Sequence, residues 1–162
     1  MEHVMLTTYV SGAIGRVTEM HARYYSKQWG FGLYFEAKVA SELAEFLTRF
    51  HPGQDFFKVA LTQGRVHGSI AIDGIHANDQ GAHLRWFITS SALRGTGTGN
   101  RLLQDAVDFC RHKEYKKIYL WTFEGLELAR HLYEKFGFRI AEELPGEQWG
   151  VRVREQKFVL DL

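Results

Sequence analysis

The chain of 162 residues has a single cysteine, two prolines, no extended run of one charge sign and no apolar stretch long enough to cross a bilayer. A lone Cys110 excludes an internal disulfide and a cysteine-ligated metal cluster, which suits a reducing compartment. No linker, internal repeat or low-complexity segment interrupts the chain, so residues 1–162 read as one domain. Lysine and arginine total 20 against 19 acidic residues, a net charge of +1. No broad nucleic-acid or membrane footprint is therefore expected, and any anion site must be local. The start Met1-Glu2-His3 has neither the basic nor the hydrophobic part of a signal peptide, and nothing approaches the roughly 20 apolar residues of a membrane helix. A cytoplasmic location is the expectation. The eight histidines show no metal-ligand spacing, so no metal is expected either.

What the chain does have is glycine and aromatic side chains, the latter 14% of it, enough for a well-packed core. Residues 5–10 read as a strand rich in threonine and β-branched side chains, with Ser11 able to cap the following helix. That helix spans 14–28, with Ile14, Val17, Met20, Tyr24 and Tyr25 at helical spacing, and Trp29-Gly30-Phe31-Gly32 breaks it. A second helix begins near Tyr34 and ends at His51-Pro52-Gly53. Strand-like runs at 56–61 and 67–75 flank a hairpin turn, and a third covers 82–89. These connections are too short for crossover helices, so the strands are antiparallel. Then come a helix at 100–112, a strand at 117–123, a helix through Leu128, Leu132 and Phe136, and strands at 138–142 and 151–160, with Pro145-Gly146 in the loop between the last two. The expected fold class is α/β: one mixed central sheet with antiparallel N-terminal strands, a parallel crossover, and about four flanking helices.

Between the strand at 82–89 and the helix after it lies Arg94-Gly95-Thr96-Gly97-Thr98-Gly99. Alternating glycines let backbone approach a bulky anion, and the first free N–H groups of the following helix add a positive dipole end. This is not a Walker A loop, because Asn100-Arg101 stands where Lys-Ser or Lys-Thr is required. Nor is it a dinucleotide fingerprint, which needs a further glycine where Asn100 or Leu102 stands. Taken alone, the glycines also fit a tight connection.

Arg-x-x-Gly-x-Gly between strand and helix resembles the acyl-CoA pyrophosphate loop of the GNAT superfamily of N-acetyltransferases. Leu120-Trp121-Thr122 and Ala129-Arg130-His131-Leu132-Tyr133-Glu134-Lys135-Phe136-Gly137-Phe138 are similar to that family's later strand and helix. Trp29-Gly30-Phe31, Phe35-Glu36-Ala37, Leu120-Trp121-Thr122-Phe123 and Gly146-Glu147-Gln148-Trp149-Gly150 look more narrowly like the acetyltransferase half of proteins that fuse it to a MarR-type DNA-binding domain. The chain begins at the first GNAT strand, so a standalone enzyme is expected.

The resemblance implies acetyl-CoA as cosubstrate. It places Arg94, Gly95, Thr96, Gly97, Thr98, Gly99 and Asn100 at the phosphates, and Phe87, Ile88 and Thr89 along the pantetheine arm. It implies that Tyr133 donates a proton to the departing thiolate; a phenol, ordinarily near pKa 10, is protonated at neutral pH. The alternative for Tyr133 is simple packing with Leu132 and Phe136. An unperturbed amine near pKa 10.4 is neutral in only about one molecule in 2,500 at pH 7. The strand glutamate that many family members use as base is missing from Leu84-Arg85-Trp86-Phe87-Ile88, and Leu126 replaces a pantetheine-binding asparagine. Glu36 and Glu124 are the substitute base candidates, each equally explained as a carboxylate near a helix N-terminus. Tyr25 and Trp149 are candidate acceptor-pocket walls; His21 and Tyr24 could line the pocket beside Tyr25 from the first helix, and an amphipathic helix burying its own face explains those three as well. The implied reaction is direct attack of a primary amine, on a small molecule or a protein lysine, in a ternary complex. The competing reading is a non-catalytic acyl-CoA-binding or regulatory module. A homodimer is permitted; nucleic acid and membrane partners are not expected.

Overall fold

Gln63 and Gly64 both take positive φ, 53° and 72°, the left-handed pair that a two-residue hairpin turn demands. They join β2 (Phe56–Thr62) to β3 (Arg65–Asp73) in an antiparallel register with Thr62 opposite Arg65. The computed structural model describes residues 3–162. Around this hairpin run β1 (Met5–Thr7), α1 (Ala13–Trp29), α2 (Leu33–Thr48), β4 (Ala82–Thr89), a 3₁₀ turn (Ser91–Leu93), α3 (Thr98–His112), β5 (Lys117–Phe123), α4 (Glu127–Lys135), β6 (Arg139–Gly146) and β7 (Val153–Asp161). The seven strands form one sheet in the order β1-β2-β3-β4-β5-β7-β6. Among the described residues β4 and β5 are the sole parallel neighbours. The α/β class, the mixed sheet and the four helices are as expected.

Period-2 alternation sends successive strand residues to opposite faces. Ile70 and Ile72 join a core with Leu102, Leu103, Ala106 and Val107 of α3 and Tyr133 of α4. Ala71 and Trp86 join a second core with Val17 of α1 and Phe35, Val39, Leu43 and Phe46 of α2. The sheet is thus sandwiched between two helix pairs. Burying each large side chain is worth about 1.5–3 kcal/mol. Cys110 sits wholly inside the α3 core, where burial pushes its thiol up to about 12; it packs and stays inert.

Three local readings are corrected. Ser11 does not cap α1: Gly12 does, in the left-handed conformation at φ 90° and with no side-chain bond. The first strand stops at Thr7, because the residues after it turn into that cap. Pro145 and Gly146 are strand residues of β6, opposite Arg154 and Val153. β6 is an edge strand, and an edge is where a sheet tolerates a residue without N–H.

The feature that positions the site is a divergence. β4 pairs with β5 only at Ala82↔Ile118 and His83↔Tyr119. Beyond that point β4 follows β3 to Thr89, while β5 follows β7 to Phe123. A bulge sends them apart: Ser69 faces Ile88 and Ala71 faces Arg85, so Ile70 alone opposes Trp86 and Phe87. Trp86 takes φ 49°, a left-handed setting that costs a non-glycine residue about 1–2 kcal/mol. Buried Ser69 holds it there, its Oγ donating to the Trp86 carbonyl at 2.7 Å.

Candidate active site

The glycine loop is shaped by its own threonines. Thr96 Oγ1 donates to the Leu93 carbonyl at 2.6 Å and meets Thr98 Oγ1 at 2.7 Å, and the Thr98 N–H points back at Thr96 Oγ1 at 3.4 Å. Both hydroxyls are therefore spent inside the loop. Gly95 and Gly97 each take φ 76°, which β-branched side chains resist strongly. The first helical bond of α3 runs from the Arg101 N–H to the Gly97 carbonyl at 3.0 Å, so the N–H groups of Gly99 and Asn100 precede the ladder and remain for an anion. A methyl added at Gly99 would lie 3.9 Å from Thr89 and 4.0 Å from Phe87, toward the strand assigned to the pantetheine arm. Lys135 reaches the loop from α4, its Nζ 3.5 Å from Asn100 Oδ1. Arg94 and Asn100 are exposed.

Where β4 and β5 part, a cavity of about 380 Å³ opens. It passes between the two helix layers: Tyr133 of α4 lines it together with Tyr25 of α1, Phe35 of α2, Phe87 of β4 and Trp149. Rings in contact build its α1–α2 side, with centroids 5.6 Å apart for Tyr25–Phe31, 5.3 Å for Phe31–Phe123 and 5.7 Å for Phe123–Trp149. The loop carrying Trp149 is pinned from behind. Gln148 donates through its backbone N–H and its side-chain Nε2 to the two oxygens of buried Glu155, at 3.0 and 2.8 Å.

Tyr133 is buried against Phe87, Phe138 and Phe158. Burial, helped by nearby Tyr25, raises its phenol far above the ordinary value, so it is protonated throughout the physiological range. Its hydroxyl bonds to no other described residue, which leaves that proton available to the cavity it lines. Tyr25 is raised in the same way, first by burial and then by Tyr24.

Two histidines line the cavity as neutral rings. Burial lowers His21 to about 4; the 2.8 Å contact from its Nδ1 to the Val17 carbonyl requires Nδ1 to carry the proton, which leaves Nε2 as an acceptor. Burial first, and then the Arg85 charge, lowers His83 to about 3, and its ring stacks on Tyr119 at 4.5 Å. Glu42 is the one carboxylate at the wall among the described residues. Burial pushes it up, but hydrogen bonds and charges from Lys38 and Arg85 outweigh this and hold it below the ordinary carboxylate value.

Of the residues expected from sequence, Tyr133, Phe87, Tyr25 and Trp149 meet at one cavity, and Leu126 joins them. Ile88 and Thr89 continue β4 beyond it. Glu36 and Glu124 do not reach it. The inward stripe of α2 is Phe35, Lys38, Val39 and Glu42, at i, i+3, i+4 and i+7. Glu36 falls beside that stripe, exposed. Glu124 lies just past β5, exposed, its N–H bound to the Arg154 carbonyl at 2.9 Å. The charged trio Lys38, Glu42 and Arg85 was missed, although an arginine inside the apolar run Leu84-Arg85-Trp86-Phe87 was a visible signal. No group of metal-ligating side chains occurs among the described residues, and no described helix is long and apolar enough to cross a membrane.

Comparison with known proteins agrees with this architecture. No curated protein matches the chain significantly. Among solved structures, a GNAT-family acetyltransferase from Staphylococcus aureus Mu50 superposes with a TM-score of 0.77 at 16% identity, covering 99% of both chains. An acetyltransferase from Streptococcus agalactiae 2603 gives 0.75 at 19% identity over 98% of each. yncA from Salmonella typhimurium, assigned as an acetyltransferase and solved with its cofactor acetyl-CoA, gives 0.72 at 15% identity, covering 99% of this chain and 94% of that one. At such identities these show the fold alone. The model of the acetyltransferase (GNAT) family matches residues 14–138, more than half of the chain, and with it the protein belongs to that family as an acetyl-CoA-dependent N-acetyltransferase.

Proposed function

We propose that residues 1–162 act as one catalytic unit that acetylates a primary amine by direct attack in a ternary complex. The observation that carries this is the cavity at the β4–β5 divergence, which links Tyr133 on the α3–α4 side to an aromatic pocket under α1 and α2. Bound acetyl-CoA supplies the thioester. The loop Arg94–Asn100 takes the pyrophosphate through backbone N–H groups, and Phe87, Ile88 and Thr89 flank the arm. Tyr25, Phe31, Phe35 and Trp149 exclude water and orient the amine. As the C–N bond forms and the C–S bond breaks, the Tyr133 hydroxyl gives its proton to sulfur and recovers one from solvent. The amine sheds its proton to water, since both oxygens of Glu42 are already engaged and Cys110 is sealed in the core. The motif kinship to MarR-fused acetyltransferases and a cytoplasmic location belong to the same reading, as does tolerance of a homodimer.

Thiol release from acetyl-CoA with an amine panel tests it. Tyr133→Phe is expected to lower kcat by about 10²–10⁴-fold, with acetyl-CoA affinity within a few-fold of the parent. An unchanged kcat removes Tyr133 as the acid. Acetyl-CoA binding without turnover on any amine removes the transferase reading.

A further inference from the structure

The α1–α2 side of the cavity carries a charge imbalance that the transfer chemistry leaves unused. Lys38, Glu42 and Arg85 all line it. Lys38 Nζ lies 2.8 Å from Glu42 Oε2, and Arg85 Nη2 donates to Glu42 Oε1. One carboxylate, with both oxygens occupied, thus holds two cations. An ammonium has three N–H donors and a guanidinium five. Each gives one to Glu42, and no other described residue accepts from the rest.

Arg85 is also held on a second side. Its guanidinium carbon stands 4.2 Å from the centroid of the Trp86 ring, and Trp86 is fixed by the bulge and by Ser69. The histidines that share the wall, His21 and His83, are neutral at pH 7, so they add no charge. One unit of positive charge, with spare donors on a preorganised fork, therefore borders a pocket whose other walls are aromatic, aliphatic or uncharged polar side chains.

We infer that the acceptor is a small amino acid, a primary amine that also bears a carboxylate, and that Arg85, seconded by Lys38, binds that carboxylate. This rests on the transferase reading of the same site. A planar carboxylate matches a guanidinium fork and replaces water at its free N–H groups. A polyamine, or a lysine side chain in a basic segment, brings a second cation to a wall that is already positive. The same wall disfavours the ammonium form of a nearby amine, which eases the deprotonation that no carboxylate base is free to perform.

The test uses pairs that differ only in the anionic group: α-, β- and γ-amino acids against their carboxamides, followed by thiol release. The better acids are expected to exceed their amides in kcat/KM by at least about tenfold, as loss of a charge-assisted bond implies. Arg85→Met is expected to bring that ratio to within about threefold of one. Because Met leaves Glu42 with a single cation, the Arg85→Met/Glu42→Gln double variant is measured beside it and should show the same collapse. Quenching of tryptophan fluorescence by an N-acetyl amino acid, against its N-acetyl amide, reads the site without turnover. Equal use of acids and amides, or a preference for diamines, overturns the inference, as does an acid preference that survives in both variants. If no amine is turned over, the transferase reading falls; Arg85-dependent binding of the acetylated acid over its amide still upholds the carboxylate site, and equal binding overturns it.

Discussion

Acidification should unfold this protein early, and His21 and His83 should account for most of the loss. The folded chain keeps His21 near 4 and His83 near 3, against 6.5 for a free imidazole. The unfolded chain therefore binds protons that the folded chain refuses, and stability falls as pH drops below 6.5, continuing until the folded values are reached. Above 6.5 both rings are neutral in either state and cost nothing. For His21, lowering the pH from 7 to 5 removes about 2 kcal/mol by this linkage, and for His83 about the same. Together that is about 4 kcal/mol from a total that is typically 5–15 kcal/mol. Glu42, held below its ordinary value of 4.5, adds its own loss only at lower pH. With a urea m-value of about 2 kcal/mol per molar, the midpoint should drop by about 2 M between pH 7 and 5. His21→Gln keeps a donor near the Val17 carbonyl but does not titrate, and should halve that drop. Combining it with His83→Gln should nearly abolish it. If the midpoint–pH curve of the double variant runs parallel to that of the parent, the two rings are not held neutral and the burial argument is wrong.

The glycine loop and the bulge give two further tests. Gly97→Val forces a β-branched residue to φ 76°; it should raise the KM for acetyl-CoA at least about tenfold and cost about 1–3 kcal/mol in urea midpoint, and unchanged binding by calorimetry would show that the loop does not hold the phosphates. Ser69→Ala strips the 2.7 Å bond from the Trp86 carbonyl and should cost about 1–3 kcal/mol, with a rise in the KM of both substrates as the β4–β5 opening relaxes; a loss of stability with both KM values untouched would separate the bulge from the site.

The legibility of this chain divides along the range of the interactions involved. Helices and strands with a clean apolar period were found within a few residues, β4 and β5 to the residue, because local patterning and burial agree there. Pro145 was misread as loop since its tolerance depends on β6 being an edge strand, which no local window contains. Ser11 lost to Gly12 for a similar reason: once the turn needs φ 90°, glycine outcompetes a hydroxyl cap.

The site shows the same division in sharper form. The glycine loop is a contiguous motif whose shape follows from its own glycines and threonines, so its backbone course is legible locally. Of the two base candidates, Glu36 stands outside the cavity by helical phase. Glu36 and Glu42 are six residues apart on one helix, and only the partner surface decides which of them faces inward; here Phe35 and Val39 commit the stripe to Lys38 and Glu42. Arg85 is a different case. Ala82 and Leu84 pack on the α3 side while His83 and Arg85 line the opening, so the regular alternation of β4 already sends Arg85 toward α2. What no local window contains is that β5 parts from β4 there and that Lys38 and Glu42 stand opposite. The bulge acts one residue later: it turns Trp86 to the same side as Arg85, through a non-glycine residue at φ 49° that leaves no compositional trace, and so sets the ring on which the guanidinium rests.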